Sequence, residues 1–371
     1  MKGDPANSAE TCRGRRCVEI KSRAPFIVPL FIPQRGCPHQ CVFCNQQAIT
    51  GTPRQRLTLP EAQKGIDAFL GYRRDPGRFT EIAFFGGNFL GLKRTELEDY
   101  LDLAAGYVTR GAVQGIRFST RPDTIREARL DLLKTFPVTT VELGAQSMDN
   151  QILTRVRRGH RAEDTQAAVR RLRAQGYRVG LQLMVGLPGE TRNGSLQGAQ
   201  RLADLKPDFV RIYPTLVLRG SPLAEWYQRG EFQPLSLADA VAWVKPLYRL
   251  FKRQHIPVIR MGLPASRELT PENDLLAGPH HPAFGELVRT ALFYDRAEQL
   301  LHHYQRPRTH IVFRLNPRSE SQFRGIASRN LAGLQKQYGI GQIRIMKDPD
   351  LARDALMLES SPIPPILPVP E

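Results

Sequence analysis

No stretch of this 371-residue chain approaches the apolar length that crosses a bilayer, so no transmembrane helix is expected. The first 23 residues are polar and basic and hold no apolar core, which argues against a secretory signal. Cysteine is scarce: there are five, and three fall within eight residues, which cannot make a disulfide framework. Few thiols and no export signal fit a reducing, cytoplasmic setting. No internal repeat is visible. Acidic residues are in deficit, 36 against 53 lysines and arginines, leaving a net charge of +17. Such a balance favours a polyanionic partner. The basic residues are mostly arginines, spread over 13–23, 155–161, 170–178, 249–260 and 306–329, and no aromatic-interleaved nucleic-acid motif accompanies them. Charge alone therefore leaves RNA and a general arginine bias both open.

What is present is concentrated in Arg35-Gly36-Cys37-Pro38-His39-Gln40-Cys41-Val42-Phe43-Cys44. Thiolates are soft ligands suited to iron–sulfur clusters. Three of them, Cys37, Cys41 and Cys44, can hold three irons of a [4Fe–4S] cube and leave the fourth open. The spacing differs from that of electron-carrying bacterial ferredoxins. Three unrelated thiols or a zinc site are the competing readings. Zinc wants four protein ligands in a closed structural site, and only His39 stands nearby. Cys12 and Cys17 lie in the basic leader and read as free thiols.

Strand-like and helix-like segments alternate, the pattern of an α/β protein with a parallel sheet. Strands are expected at 26–32, 81–85, 115–119, 139–145, 178–185 and 209–213. Helices are expected at 60–72, 94–106, 122–134, 162–175 and 194–205. Six such units predict a partial (β/α)6 barrel, open on one side. A helix over 238–254, which Pro246 should kink or break, and a possible closing strand at 256–261 follow. The expected organisation is a basic leader (1–24), a core (25–265), a small α/β appendage (266–358) and a proline-rich tail (359–371). In the appendage, 285–301 and 330–338 read as helices and 309–315 as a strand.

Parallel barrels gather their sites where strands end. The second strand ends in Gly86-Gly87-Asn88. Glycines there let backbone approach a ligand closely, although a plain turn would use them too. A β-carbon at Gly87 is expected to fill ligand space and leave the cysteine loop intact. Alternation puts Glu142, Gly144 and Gln146 on one face of the fourth strand, and Gln182, Met184 and Gly186 on one face of the fifth. Glu142 is either a ligand contact or a buried carboxylate paired with an arginine. Arg211 and Tyr213 point inward from the sixth strand, where Arg211 could hold a carboxylate. Segment 278–286, with His280 and His281, reads as a surface turn leading into a helix, with the substrate mouth as the alternative.

These motifs occur in order: the cysteine run, Gly86-Gly87, Thr120-Arg121-Pro122-Asp123, Val141 to Ser147 with Arg158-Gly159-His160, Gly186-Leu187-Pro188-Gly189, and Ile212 to Val217. Over residues 26–263 the chain resembles the radical S-adenosylmethionine (SAM) core of the Elongator catalytic subunit family. More distantly, it resembles oxygen-independent coproporphyrinogen oxidases. The resemblance implies a partial radical SAM barrel, a [4Fe–4S] cluster on Cys37, Cys41 and Cys44, and SAM as cosubstrate. It implies SAM contacts from Phe43, Gly86, Gly87, Asn88, Glu142, Gln146, Gln182, Gly186 and Arg211. It also implies reductive cleavage of SAM to a 5′-deoxyadenosyl radical, fed by a donor such as flavodoxin or ferredoxin.

Departures from the family pattern limit the transfer. Asn88 stands where many members have Glu, and Gln182 where the Elongator type has a histidine. The residues after the core are too few for an acetyltransferase-fold domain as well as the appendage. The leading expectation is an enzyme acting on an RNA base, with tRNA as partner. The alternatives are a small-molecule enzyme of porphyrin or cofactor metabolism, and a non-catalytic iron–sulfur protein that binds RNA.

Overall fold

The structure, a computed structural model, describes residues 24–32, 35–50, 56–264, 269–270, 272–304 and 309–359. The expected leader, with Cys12 and Cys17, lies outside the described residues except Ala24. The expected tail lies outside them except Glu359.

Seven parallel strands form the main sheet: β1 (Phe26–Ile32), β2 (Thr80–Gly86), β3 (Gly115–Thr120), β4 (Val138–Gln146), β5 (Arg178–Val185), β6 (Phe209–Pro214) and β8 (Val258–Met261). Their order follows the chain, with β1 and β8 at opposite edges. Between β6 and β8, the short β7 (Val217–Leu218) pairs instead with β9 (Leu275–Ala277). The sheet curls into a half-barrel with the helices outside it, and the expected closing strand is its seventh member.

The connecting helices are α1 (Gln46–Thr50), α2 (Leu59–Gly71), α3 (Arg94–Thr109), α4 (Glu127–Leu133), α5 (Asn150–Arg155), α6 (Ala162–Ala174), α7 (Arg192–Asp204), α8 (Pro222–Gln228) and α9 (Leu237–Arg253). Thr58 and Glu61 close a capping box at the start of α2, where Pro60 also fits because its missing N–H is unpaired there anyway. The apolar faces of α2, α3, α4, α6, α7 and α9 meet Val28, Ile82, Ile116, Val141, Val179 and Val210 in one continuous core.

Of the two effects expected of Pro246, a break is absent: α9 runs unbroken through it. Proline removes the donor that would serve the carbonyl four residues back. That carbonyl, of Ala242, accepts instead from the guanidinium of Arg192 at 2.9 Å. Burial of Val244, Leu247, Leu250 and Phe251 holds the helix on the core.

Beyond the half-barrel, α10 (Phe284–His302) packs on α9 and carries a three-stranded sheet of order β11-β10-β12. Its strands are β10 (His310–Leu315), β11 (Gln342–Lys347) and β12 (Leu356–Leu358), with α11 (Glu320–Arg324) and α12 (Arg329–Tyr338) alongside. A second core around Phe293, Phe313 and Phe323 binds these elements. The pattern expected over 285–338 is present. The strands β11 and β12 were not anticipated.

The concave face of the half-barrel is charged. Glu81 is fully buried and accepts from Thr139 and Thr140, both at 2.6 Å, and from Arg117 at 3.2 Å. Arg117 also donates to Glu142 at 2.6 Å, and Glu142 pairs with Arg211 at 2.8 Å. Two acids and two bases thus alternate across β2, β3, β4 and β6. Removing one member leaves its partner charged in a dry interior, which costs about 3–5 kcal/mol. Arg117→Leu should lower the urea-unfolding free energy by roughly that amount, because it leaves Glu81 with no cation and Glu142 with Arg211 alone. An unfolding midpoint equal to wild type would contradict the ladder's role.

Candidate functional site

A cavity of 860 Å³ opens at the C-terminal ends of the strands and runs along the concave face. Cys37, Cys41 and Cys44 line it, as do Phe43, Gly86, Gly87, Glu142, Gln146, Gln182 and Arg211. Of the residues singled out from the sequence, Asn88 and Gly186 are not part of its wall. A β-carbon at Gly186 would meet Leu235, not the cavity. Residues 278–286 form the turn into α10, where the Ala283 amide donates to His281 Nδ1 at 3.0 Å, and they do not line the cavity either.

The cysteine loop is seated backbone to backbone on the end of β2. The amides of Gly87 and Asn88 donate to the carbonyls of Ile32 and Arg35, each at 2.8 Å. Asn88 Nδ2 donates to the carbonyl of Gly36 at 2.8 Å. Its Oδ1 accepts from Thr120 Oγ1 at 2.7 Å and from the amide of Arg121 at 3.0 Å. Asn88 is therefore a brace between three strand ends, with both its Nδ2 and its Oδ1 engaged inside the protein. The glycines serve the same seat. A β-carbon at Gly87 would stand 2.2 Å from the Arg35 carbonyl oxygen, and one at Gly36 2.2 Å from that of Asn88. This corrects the expectation for Gly87: the space a β-carbon would take belongs to the cysteine loop rather than to a ligand.

The far side of the loop is fixed as well. Val42 donates to Val156 at 3.1 Å and accepts from Leu223 at 2.8 Å, and its side chain packs among Ile152, Met184 and Tyr213. Gln46, in α1, donates to the carbonyl of Gly86. The result is a rigid presentation of three thiols to one cavity. Among the described residues, no three His, Cys, Asp or Glu side chains converge as the ligands of a single metal ion would. The donor set suits a polynuclear group, each thiolate taking its own metal.

At the end of β4 the alternation fails between Gly144 and Gln146, where the register with β5 shifts. Gln146 takes a left-handed φ of 66°. Strain of this kind persists only where the surroundings enforce it. Here it places Gln146 in the cavity wall, where its Oε1 accepts from Gln182 at 3.2 Å. Arg211 is already paired with Glu142 and stacks over Phe85 at 5.2 Å. Of the two readings of Glu142, the structure shows the carboxylate paired with arginines, on the cavity floor.

Spacing gave no role to two arginines that the structure brings to the cysteines. Arg158 is buried; its Nη1 lies 3.5 Å from Cys41 Sγ and its Nη2 donates to the Gly144 carbonyl at 2.7 Å. Arg121 is buried and gripped by Asp123 at 3.0 and 3.2 Å. Nε of Arg158 and Nη1 of Arg121 are buried without a hydrogen-bond partner. Burial pushes the Cys37 thiol up, while the charges of Arg158 and Arg121 pull it down. Beside them, His160 is 6% exposed, with both ring nitrogens buried against the end of β4. Burial first, then the positive charges of Arg158 and Arg121, push its imidazole down to about 3. Both arginines lie in segments that carry the family resemblance, which was the only signal for them.

Comparison with known proteins agrees with this geometry. A model described as the radical SAM superfamily matches residues 31–194, and a radical SAM C-terminal domain model matches 207–293. A tRNA uridine(34) acetyltransferase of Methanocaldococcus infernus is 38% identical over 256 residues, 58% of this chain and 47% of that protein. One from Dehalococcoides mccartyi is 29% identical over 253 residues, 58% of this chain and 55% of that protein. The chain thus spans about half the length of these curated relatives. Among solved structures, the archaeal Elp3 of M. infernus with residues 1–46 deleted superimposes with a TM-score of 0.55, covering 74% of this chain and 62% of that one at 22% identity.

Two expectations follow from the seat and the buried imidazole. Gly87→Ala should loosen the loop, so that Cys41, 5% exposed, reacts with a thiol reagent about tenfold faster or more. Unchanged thiol kinetics would refute the seat. His160 is neutral when folded, down to about pH 3, whereas the unfolded chain takes up that proton near pH 6.5. Its contribution to stability is therefore complete above pH 6.5 and is lost as the pH falls toward 3, by up to roughly 1.4 kcal/mol per unit. His160→Gln should flatten that part of the stability profile in urea titrations run across the range.

Proposed function

The chain belongs to the radical SAM superfamily of enzymes, and on that premise we propose that it cleaves SAM reductively in order to modify an RNA base, with tRNA as its substrate. The observation that carries the reading is the rigid seat that presents Cys37, Cys41 and Cys44 to one large cavity. The three thiolates hold three irons of a [4Fe–4S] cluster, and buried arginine N–H groups stand beside them as partners for an anionic group. When bound, the cluster supplies the electron that divides SAM into methionine and a 5′-deoxyadenosyl radical.

The protein's own residues do the rest. Gly86, Gly87, Gln146 and Gln182 border the space next to the cysteines and orient SAM there, while Phe43 packs beside the loop and keeps water from it. Glu142, already paired with Arg117 and Arg211, gives the floor a neutral balance, so Arg211 is not the holder of the SAM carboxylate. With its charges paired and its net charge near zero, that floor suits a heterocycle better than an anion. The net charge of +17 and the relatives named as tRNA uridine(34) acetyltransferases support tRNA as the carrier of that heterocycle. A one-electron donor of the flavodoxin or ferredoxin kind and a cytoplasmic setting belong to the same reading. Acetyl transfer, named for relatives that this chain matches over about half their length, is not part of it.

Anaerobic reconstitution with iron and sulfide, followed by dithionite and SAM, should yield 5′-deoxyadenosine and methionine by mass spectrometry. Cys41→Ala should abolish both products, and their persistence would sink the proposal. Affinity for tRNA should fall linearly on a log–log plot against salt, because each phosphate contact releases counterions. Absence of tRNA binding at low salt would move the substrate to a small molecule.

A further inference from the structure

The concave face divides into two electrostatic zones. Its floor is a closed ladder, Glu81, Arg117, Glu142 and Arg211, in which charges cancel. Its rim, at the cysteine loop, is different. Arg158 and Arg121 are both buried and both line the cavity with Cys37 and Cys41. Each keeps one N–H without a partner. One carboxylate, Asp123, answers the two cations, and it grips Arg121 alone. The rim therefore carries an excess positive charge on largely buried side chains, with a guanidinium nitrogen 3.5 Å from a cysteine sulfur.

Reducing an iron–sulfur cluster adds one negative charge. Fixed positive charge and hydrogen bonds to the sulfurs stabilise the reduced form, and they do so strongly where water is excluded. We propose that Arg121 and Arg158 are positioning residues that raise the reduction potential of the cluster held by Cys37, Cys41 and Cys44, with Asp123 as the counterweight that limits the rise. This inference rests on the proposed cluster and not on the identity of the substrate. Arg158 acts directly on Cys41. Arg121 acts through space, lining the same cavity as Cys37, with its orientation set by the bidentate grip of Asp123. No other residue need change for the potential to move in either direction.

The test is an equilibrium redox titration of the anaerobically reconstituted full chain, without SAM, followed by electron paramagnetic resonance. Iron and sulfide are counted first for every variant. Arg121→Gln and Arg158→Gln should each lower the reduced-to-oxidised ratio at a fixed potential about tenfold, a shift of about 59 mV for one electron. Asp123→Asn should shift the ratio the opposite way. Arg121→Lys keeps the charge and should recover most of the loss. Opposite signs for the two members of one ion pair are not produced by loosened packing, which makes the pair diagnostic. Should a glutamine variant hold no cluster, Asp123→Asn still decides the sign. Reduced-to-oxidised ratios within twofold of wild type for all variants, or shifts of the same sign for Arg121→Gln and Asp123→Asn, overturn the proposal. A wild-type chain that takes up no iron and sulfide overturns the cluster reading itself, a result distinct from a normal cluster whose potential ignores these charges.

Discussion

Close approach of two backbones, with no side chain between them, is the constraint on which the site depends. Residues 35–37 lie against residues 87–91 so tightly that a single added carbon at Gly36, Gly87 or Gly91 would overlap a main-chain atom. Asn88 then ties the two segments to the end of β3 through Thr120 and Arg121. Because these anchors are strand ends, the position of the cysteines is inherited from the sheet and not from a free loop. Sites built this way hold their geometry better than sites on loops alone.

The seat also explains how charge is distributed. Strand ends deliver Arg121 from β3 and Gly144 from β4, and Arg158 follows from the turn after α5. Arg158 reaches both the Gly144 carbonyl and Cys41, so it joins the fourth strand to the cysteine loop. Deeper in the half-barrel, the same inward-facing positions carry the paired ladder. Buried pairs of that kind stabilise little in net terms against an apolar core, but each is costly to break singly. The ladder replaces the apolar filling of a closed barrel and keeps the concave face polar.

Much of this was legible before the fold was seen. The cysteine spacing named the chemistry, and the alternation of strands and helices named the architecture, because both signals are local and periodic. The unbroken α9 was not legible, since the partner that compensates for Pro246 is Arg192, more than fifty residues earlier in the chain. Asn88 and Gly87 were misread for a similar reason: sequence shows that a glycine is needed, but not which neighbour needs it. Gly186 was placed by strict alternation, yet it faces Leu235. Arg121 and Arg158 carry no spacing signal, and their importance arises only where three strand ends and one turn meet. The exposed edge strand β11 was missed because its half-buried alternation of Ile343 and Ile345 lies in a polar context.

Among the described residues the sheet does not close on itself: β1 and β8 are its two margins, and Ile27, Phe31 and Arg260 from these margins contribute to the cavity wall. The chamber is accordingly a trough with an open flank and not a well entered only from above. A long polymer can lie across such a trough and lower a single residue into it from the middle of its length, without having to thread a free end.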